Sequence, residues 1–110
     1  MTDRTGLKGR PRRNVIATVR SLGQPCWLCG YPIDLSLDTQ RDPLGSSVDE
    51  VVPRSHGGDP LDLANLRHAH RICNTSRGNR TPSDALRTRC RELVAKHLGI
   101  EPEPSGTRTW

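Results

Sequence analysis

Apolar positions along this chain come in short, separated groups, and the groups do not share one period. The segment "NVIATVRSL" predicts a short helix from Asn14 to Leu22, with Asn14 as its cap and Gly23 as its stop. A different rhythm follows in "SVDEVVP", where β-branched residues run together until Pro53 ends them, the composition of a strand. "RSHGGDPLDLAN" carries two loop signals, Gly57-Gly58 and Asp59-Pro60, and "LRHAH" returns as the second strand of a hairpin. "RICNTSRGN" predicts a short helix ending near Gly78, and Ser83 or Asp84 caps a last helix running from about 83 to 98, ahead of Gly99. Between the first helix and the hairpin, Pro25 and Gly30 bracket a tight Cys-x-x-Cys turn in "QPCWLCGYPID", and residues 34–47 are polar and loop-like. The expected architecture is α+β: one small domain over residues 14–100, between a mobile basic arm (1–13) and a loose Pro-rich tail (101–110).

Composition changes this picture at one point. Of 110 residues only 32% are hydrophobic, Phe is absent, and the mean hydropathy is −0.69, so apolar burial is a thin basis for a stable fold. No apolar run has the length of a signal segment or a membrane span, which argues for a cytoplasmic setting and against disulfides. The four cysteines are therefore read as metal ligands. Cys26 and Cys29 form one x-x-spaced pair, and His70 and Cys73 form another; such spacing lets two side chains from one turn reach the same tetrahedral ion. Two pairs fill four positions, which describes a structural Zn²⁺ that supplies folding free energy. Cys90 rivals His70 for the fourth position, but its helical spacing with Leu86, Leu93 and Val94 marks it as a small buried thiol.

A net charge of +5 and a pI of about 9.6 point to an anionic partner, with nucleic acid ahead of membrane because no basic amphipathic helix with a strong apolar face is present. The first twenty residues hold Arg4, Lys8, Arg10, Arg12, Arg13 and Arg20 against Asp3.

Four motifs in order, "CWLC", "VDEVVPRSHGG", "NLRHAHRIC" and "CNTSRGNR", make residues 26–80 resemble the HNH nucleases, in the zinc-stapled form common in bacteriophages. The resemblance implies a ββα-metal (HNH) finger held by a structural zinc knuckle, with flanking helices. It implies that Asp49, on the first strand, is a ligand of a catalytic ion, that Asn65 fixes the loop, and that Asn74, directly after Cys73, is the second ligand. It further implies DNA as substrate, nicked or cut through, and a phage setting in which such proteins work beside terminase subunits in genome packaging. The chain departs from the family's pattern in two places. His70 stands where a Cys is more usual, which zinc accepts, and Glu50 stands where the general-base His belongs.

Carboxylate and amide oxygens suit Mg²⁺ or Mn²⁺ at Asp49 and Asn74. Glu50 can be the base, a further metal ligand, or the mark of a site that binds without cutting; the first is favoured, because adjacent strand residues point to opposite faces. His56 is the reserve base. Arg54, Arg67, Arg71, Arg77 and Arg80 are expected to neutralise phosphates beside the cut, while Arg10, Arg12 and Arg13 track the backbone. Trp27 either stacks on a base or covers the zinc, and His68 and His97 are expected to be solvated. The rival from another class is a non-catalytic zinc-knuckle DNA-binding or packaging-adaptor protein. A nuclease or toxin acting on RNA is a third reading.

Overall fold

The first helix begins earlier than its apolar pattern predicts. In the computed structural model, which describes residues 10–102, α1 spans Arg10–Ser21. Pro11 sits in its first turn, where the missing N–H costs nothing and the fixed φ suits a helix. Arg10, Arg12 and Arg13 therefore lie on a helix and not in an arm. The rest of the expected arm, residues 1–9, and residues 103–110 of the expected tail lie outside the described residues.

The hairpin forms as predicted. Strand β1 (Ser46–Glu50) pairs antiparallel with β2 (Leu66–His70), in a register running from Ser46 opposite His70 to Glu50 opposite Leu66. β1 is shorter than "SVDEVVP" because the Asn65 side chain takes over the backbone of Val52. Side chains alternate along β1: Ser47 and Asp49 reach the following helix, whereas Glu50 reaches α1.

Helix α2 (Arg71–Arg77) follows β2 without a linker and has no side-chain cap. Backbone caps it instead: Arg71 N–H donates to Gly45 O and Ile72 N–H to Pro43 O, both at 2.8 Å. Gly45 is needed for this close approach, since a Cβ there would lie 2.3 Å from Asp38 O. Helix α3 (Asp84–Leu98) is capped by Ser83, whose Oγ accepts from Leu86 N–H, and ends at Gly99 in the left-handed region. The core gathers Leu28, Tyr31, Ala69, Leu86, Val94 and Ala95 around the four buried cysteines. No described helix is long and apolar enough to cross a membrane.

His68 corrects an expectation, for it is buried and not solvated. It shares the inward face of β2 with Leu66 and His70, and only 1% of its surface is exposed. Its Nδ1 lies 2.8 Å from Gln24 O and its Nε2 2.8 Å from Ser46 Oγ. A carbonyl only accepts, so Nδ1 carries the proton and the Ser46 hydroxyl donates to Nε2. Burial lowers the pKa of His68, in keeping with a neutral ring. His97 is exposed, as expected.

His68→Leu keeps the volume but strands the Ser46 hydroxyl and the Gln24 carbonyl. Urea unfolding at fixed zinc is expected to show a loss of about 2 to 3 kcal/mol with unchanged m.

Candidate functional site

Two centres lie on either side of Trp27. The first is the knuckle. Cys26 N–H donates to Tyr31 O at 3.0 Å and Gly30 N–H to Cys26 O at 2.8 Å, and Gly30, at φ 83°, closes the turn. Trp27 N–H donates to His68 O at 3.0 Å, which ties the knuckle to β2. His70 ends β2 and Cys73 lies in the first turn of α2, so the strand-helix junction presents both towards the knuckle.

One ligand atom from each of Cys26, Cys29, His70 and Cys73 lies within 4.8 Å of the others, all four residues being buried. His70 Nδ1 is 3.3 Å from Cys29 Sγ and 4.0 Å from Cys73 Sγ. Its Nε2 donates to Pro32 O at 3.1 Å, which leaves the Nδ1 lone pair for a cation. The thiols themselves are in conflict. Burial pushes Cys26 up, but hydrogen bonds from its neighbours, Cys29 first and then Cys73, outweigh it and bring its pKa well below the ordinary thiol value. The bond to Cys26 pushes Cys29 up, and bonds to Cys26 and Cys29 push Cys73 up. Three adjacent thiols cannot ionise together unaided, and a divalent cation relieves that repulsion. The donor set fits zinc. Cys90 is buried beside Cys73 but is not among the four converging ligands.

The second centre is a cleft of about 200 Å³ lined by Val48, Asp49, Glu50, Pro53, Asn74, Gly78 and Asn79. It brings together Asp49, Glu50 and Asn74. Asn74 Nδ2 donates to Ser47 Oγ at 2.8 Å, which turns its carbonyl oxygen the other way, free to serve as a ligand. Asp49 is only 6% exposed. Its Oδ2 accepts from Trp27 Nε1 and from Arg77 Nη1, each at 3.0 Å, and its Oδ1 accepts from Glu50 N–H at 2.9 Å. Burial holds its pKa above the ordinary aspartate value, against the pull of Arg77.

Arg77 corrects a second expectation. It is 1% exposed, and its donors go to Asp49, to the backbone oxygens of Glu50 and Val51, and to Arg80 O, so no phosphate can use it. Trp27 neither stacks outward on a base nor simply lids the knuckle. The guanidiniums of Arg77 and Arg87 lie over its ring, 5.3 and 5.8 Å from the centroid, and its indole N–H joins the knuckle to Asp49.

Glu50 turns away from Asp49. Its Oε2 accepts from Arg54 Nε at 3.0 Å, and Arg12 Nη2 lies 3.6 Å away. Asn65 bonds to the loop backbone: its Oδ1 accepts from Val52 N–H at 2.8 Å, while its Nδ2 donates to Val52 O and Asp59 O. Gly58 packs under this arrangement so closely that a Cβ would lie 1.6 Å from Val52 O. His56 is exposed on the loop and does not line the cleft. Arg13, Arg54, Arg71 and Arg80 are exposed, and Arg67 is half-buried with Nη1 on Ala64 O and Leu66 O. Two residues escaped the sequence reading: Ser47, which bonds Asn74, and Asn79, on the cleft rim. Ser47 shares the Asp49 face of β1, a signal that period-two alternation carries; Asn79 has none, since it follows the point where α2 stops at Gly78.

The HNH endonuclease family profile matches residues 26–80, half of the chain. This chain belongs to the HNH endonuclease family. No curated protein and no solved structure matches it. The HNH segment opens at the first knuckle cysteine and closes at Arg80, so α1 and α3 lie outside it.

In this HNH domain, Arg77→Met leaves Asp49 buried without its partner and is expected to lower the unfolding free energy by about 3 to 5 kcal/mol. The exposed Arg80→Met is expected to cost less than about 1 kcal/mol. Denaturant titration of both variants checks the contrast.

Proposed function

We propose that this HNH protein hydrolyses DNA phosphodiester bonds, nicking or cutting duplex DNA with one catalytic divalent ion, on a fold stapled by zinc at Cys26, Cys29, His70 and Cys73. One observation carries the reading: Asp49 from β1 and Asn74 from α2 line the same cleft, with the Asn74 carbonyl oxygen unclaimed by any described residue. A hard cation, Mg²⁺ or Mn²⁺, held by these two oxygen donors would polarise the scissile phosphate and offset charge on the leaving oxygen.

The chain's own residues do the rest. Glu50 lines the same cleft and His56 does not, so Glu50 is the better base. With Oε2 engaged by arginine, Oε1 is the oxygen that takes the proton from the attacking water. Asn65 holds the loop that walls the cleft. The exposed guanidiniums of Arg13, Arg54, Arg71 and Arg80 neutralise flanking phosphates without reading bases. Work beside phage terminase subunits in genome packaging is the setting that the family resemblance suggests.

A second reading, a DNA-binding or packaging-adaptor protein that keeps the fold without cutting, has its own support. Both carboxylates of the cleft are paired with arginine, Asp49 with Arg77 and Glu50 with Arg54 and Arg12, which weakens each as a ligand or base.

Supercoiled plasmid with Mg²⁺ or Mn²⁺ separates the two. Wild type is expected to convert it, and Asn74→Ala and Asp49→Ala to lose about 100-fold or more while still binding DNA. Because Asp49→Ala also strands Arg77, Asn74→Ala is the decisive variant. Glu50→Gln is expected to lose about 10²- to 10⁴-fold, and Glu50→His to remain active. Wild type that cuts no more than Asn74→Ala leaves the adaptor reading standing.

Elemental analysis is expected to find one zinc per chain. Cys26→Ser and Cys73→Ser are expected to unfold, read by circular dichroism; normal folding of either without zinc would refute the staple.

A further inference from the structure

We propose that Arg12, on α1 and outside the HNH segment, is a positioning residue that fixes the carboxylate of Glu50, a residue lining the cleft; this rests on the reading of Glu50 as base. Both terminal nitrogens of the guanidinium are already engaged. Nη1 donates to Pro60 O, within the loop between the strands, and Nη2 lies 3.6 Å from Glu50 Oε2. One side chain on a separate helix thus joins the middle of that loop to the residue just before its entry.

Burial distinguishes Arg12 from the other cation at Glu50. Arg54 also reaches Oε2, at 3.0 Å, but 59% of its side chain is exposed, and exposed i,i+4 pairs are weak and screened by salt. Arg54 can therefore leave for a phosphate. The Arg12 side chain is 19% exposed and that of Glu50 14%, so water and salt compete far less for their contact. When Arg54 turns to substrate, Arg12 still holds the carboxylate. Burial and the Arg54 charge lower the pKa of Arg12 while Glu50 raises it, as expected for a cation dependent on its carboxylate.

The helix that carries Arg12 is itself anchored. Val19 on α1 is buried at 3% exposure, and Ile16, Arg12 and Arg20 line a groove against Ser46, Ser47 and Val48 of β1. Within the HNH segment Glu50 meets the exposed Arg54, and α1 adds the more buried cation. Arg12 leaves the set of phosphate contacts expected from the sequence, while Arg13, the next residue and exposed, remains in it.

The test uses the full chain, a labelled DNA duplex and Mn²⁺, with melting curves showing that each variant folds. Arg12→Met is expected to lower kcat by about 10- to 100-fold, the scale of a misplaced catalytic group, with KM nearly unchanged. The slope of log binding constant against log salt is expected to stay at the wild-type value, whereas Arg13→Met lowers it by about 1. Arg12→Lys, which keeps the charge but cannot bridge two acceptors in one plane, is expected to restore kcat only in part. If Arg12→Met does not fold, Arg12→Lys carries the test. Either variant with wild-type kcat, or with a reduced salt slope and raised KM, makes Arg12 a phosphate contact and overturns the proposal. Failure of the underlying reading looks different: wild type cuts nothing, or Glu50→Gln cuts as well as wild type, and then Arg12 has no base to position.

Discussion

Everything in this fold hangs from the point where the Cys26-x-x-Cys29 knuckle meets the junction of β2 and α2. The core around it is small, and four of its buried members are cysteines. Hydrophobic contact among so few groups does not hold a knuckle, a hairpin and two helices in one arrangement. Four ligand atoms within 4.8 Å of one another do, once a cation offsets the repulsion among the thiols. His70 is oriented for this by Pro32 O, and Cys73 by a helix whose first amides are capped by backbone from residues 43–45. The ligand cluster thus joins segments on both sides of itself, including the loop before β1.

The same centre reaches the cleft by two short routes. Along the chain, Cys73 is followed at once by Asn74. Across space, Trp27 lies between the two knuckle cysteines and donates its indole N–H to Asp49. Asp49 is further held by Arg77, whose 3.0 Å contact is almost completely buried. Such a pair specifies geometry more than it adds stability, because the desolvation of both charges largely cancels their attraction. Here it holds one carboxylate oxygen fixed between Trp27 and Arg77, while the other accepts from Glu50 N–H. The cleft is preorganised by charges that cannot themselves touch a substrate.

Much of this was legible in the sequence, for identifiable reasons. The x-x spacing of the two ligand pairs, the β-branched run before Pro53, and Ser83 with Gly99 around the last helix are local signals, and each element formed where it was read. Asn65 was legible through its motif, and its three bonds to Val52 and Asp59 show why the loop needs it. What failed to show were contacts between residues far apart in the chain. Arg77 and Arg80 look alike in "CNTSRGNR", yet one is buried against Asp49 and the other exposed. His68 gave no hint that Gln24 and Ser46 would enclose it. Arg12 read as part of a basic run because nothing local connects it with Glu50.

The shortness of α2 has a consequence for how this protein can vary. In seven residues it presents Cys73 to the knuckle, Asn74 to the cleft and Arg77 to Asp49, three targets in three directions. Each residue added to a helix rotates all that follow by about 100°. One insertion between His70 and Asn74 would therefore send at least two of the three side chains to the wrong target. The stretch works as a ruler, whose residues can change by substitution but not by insertion ahead of Asn74.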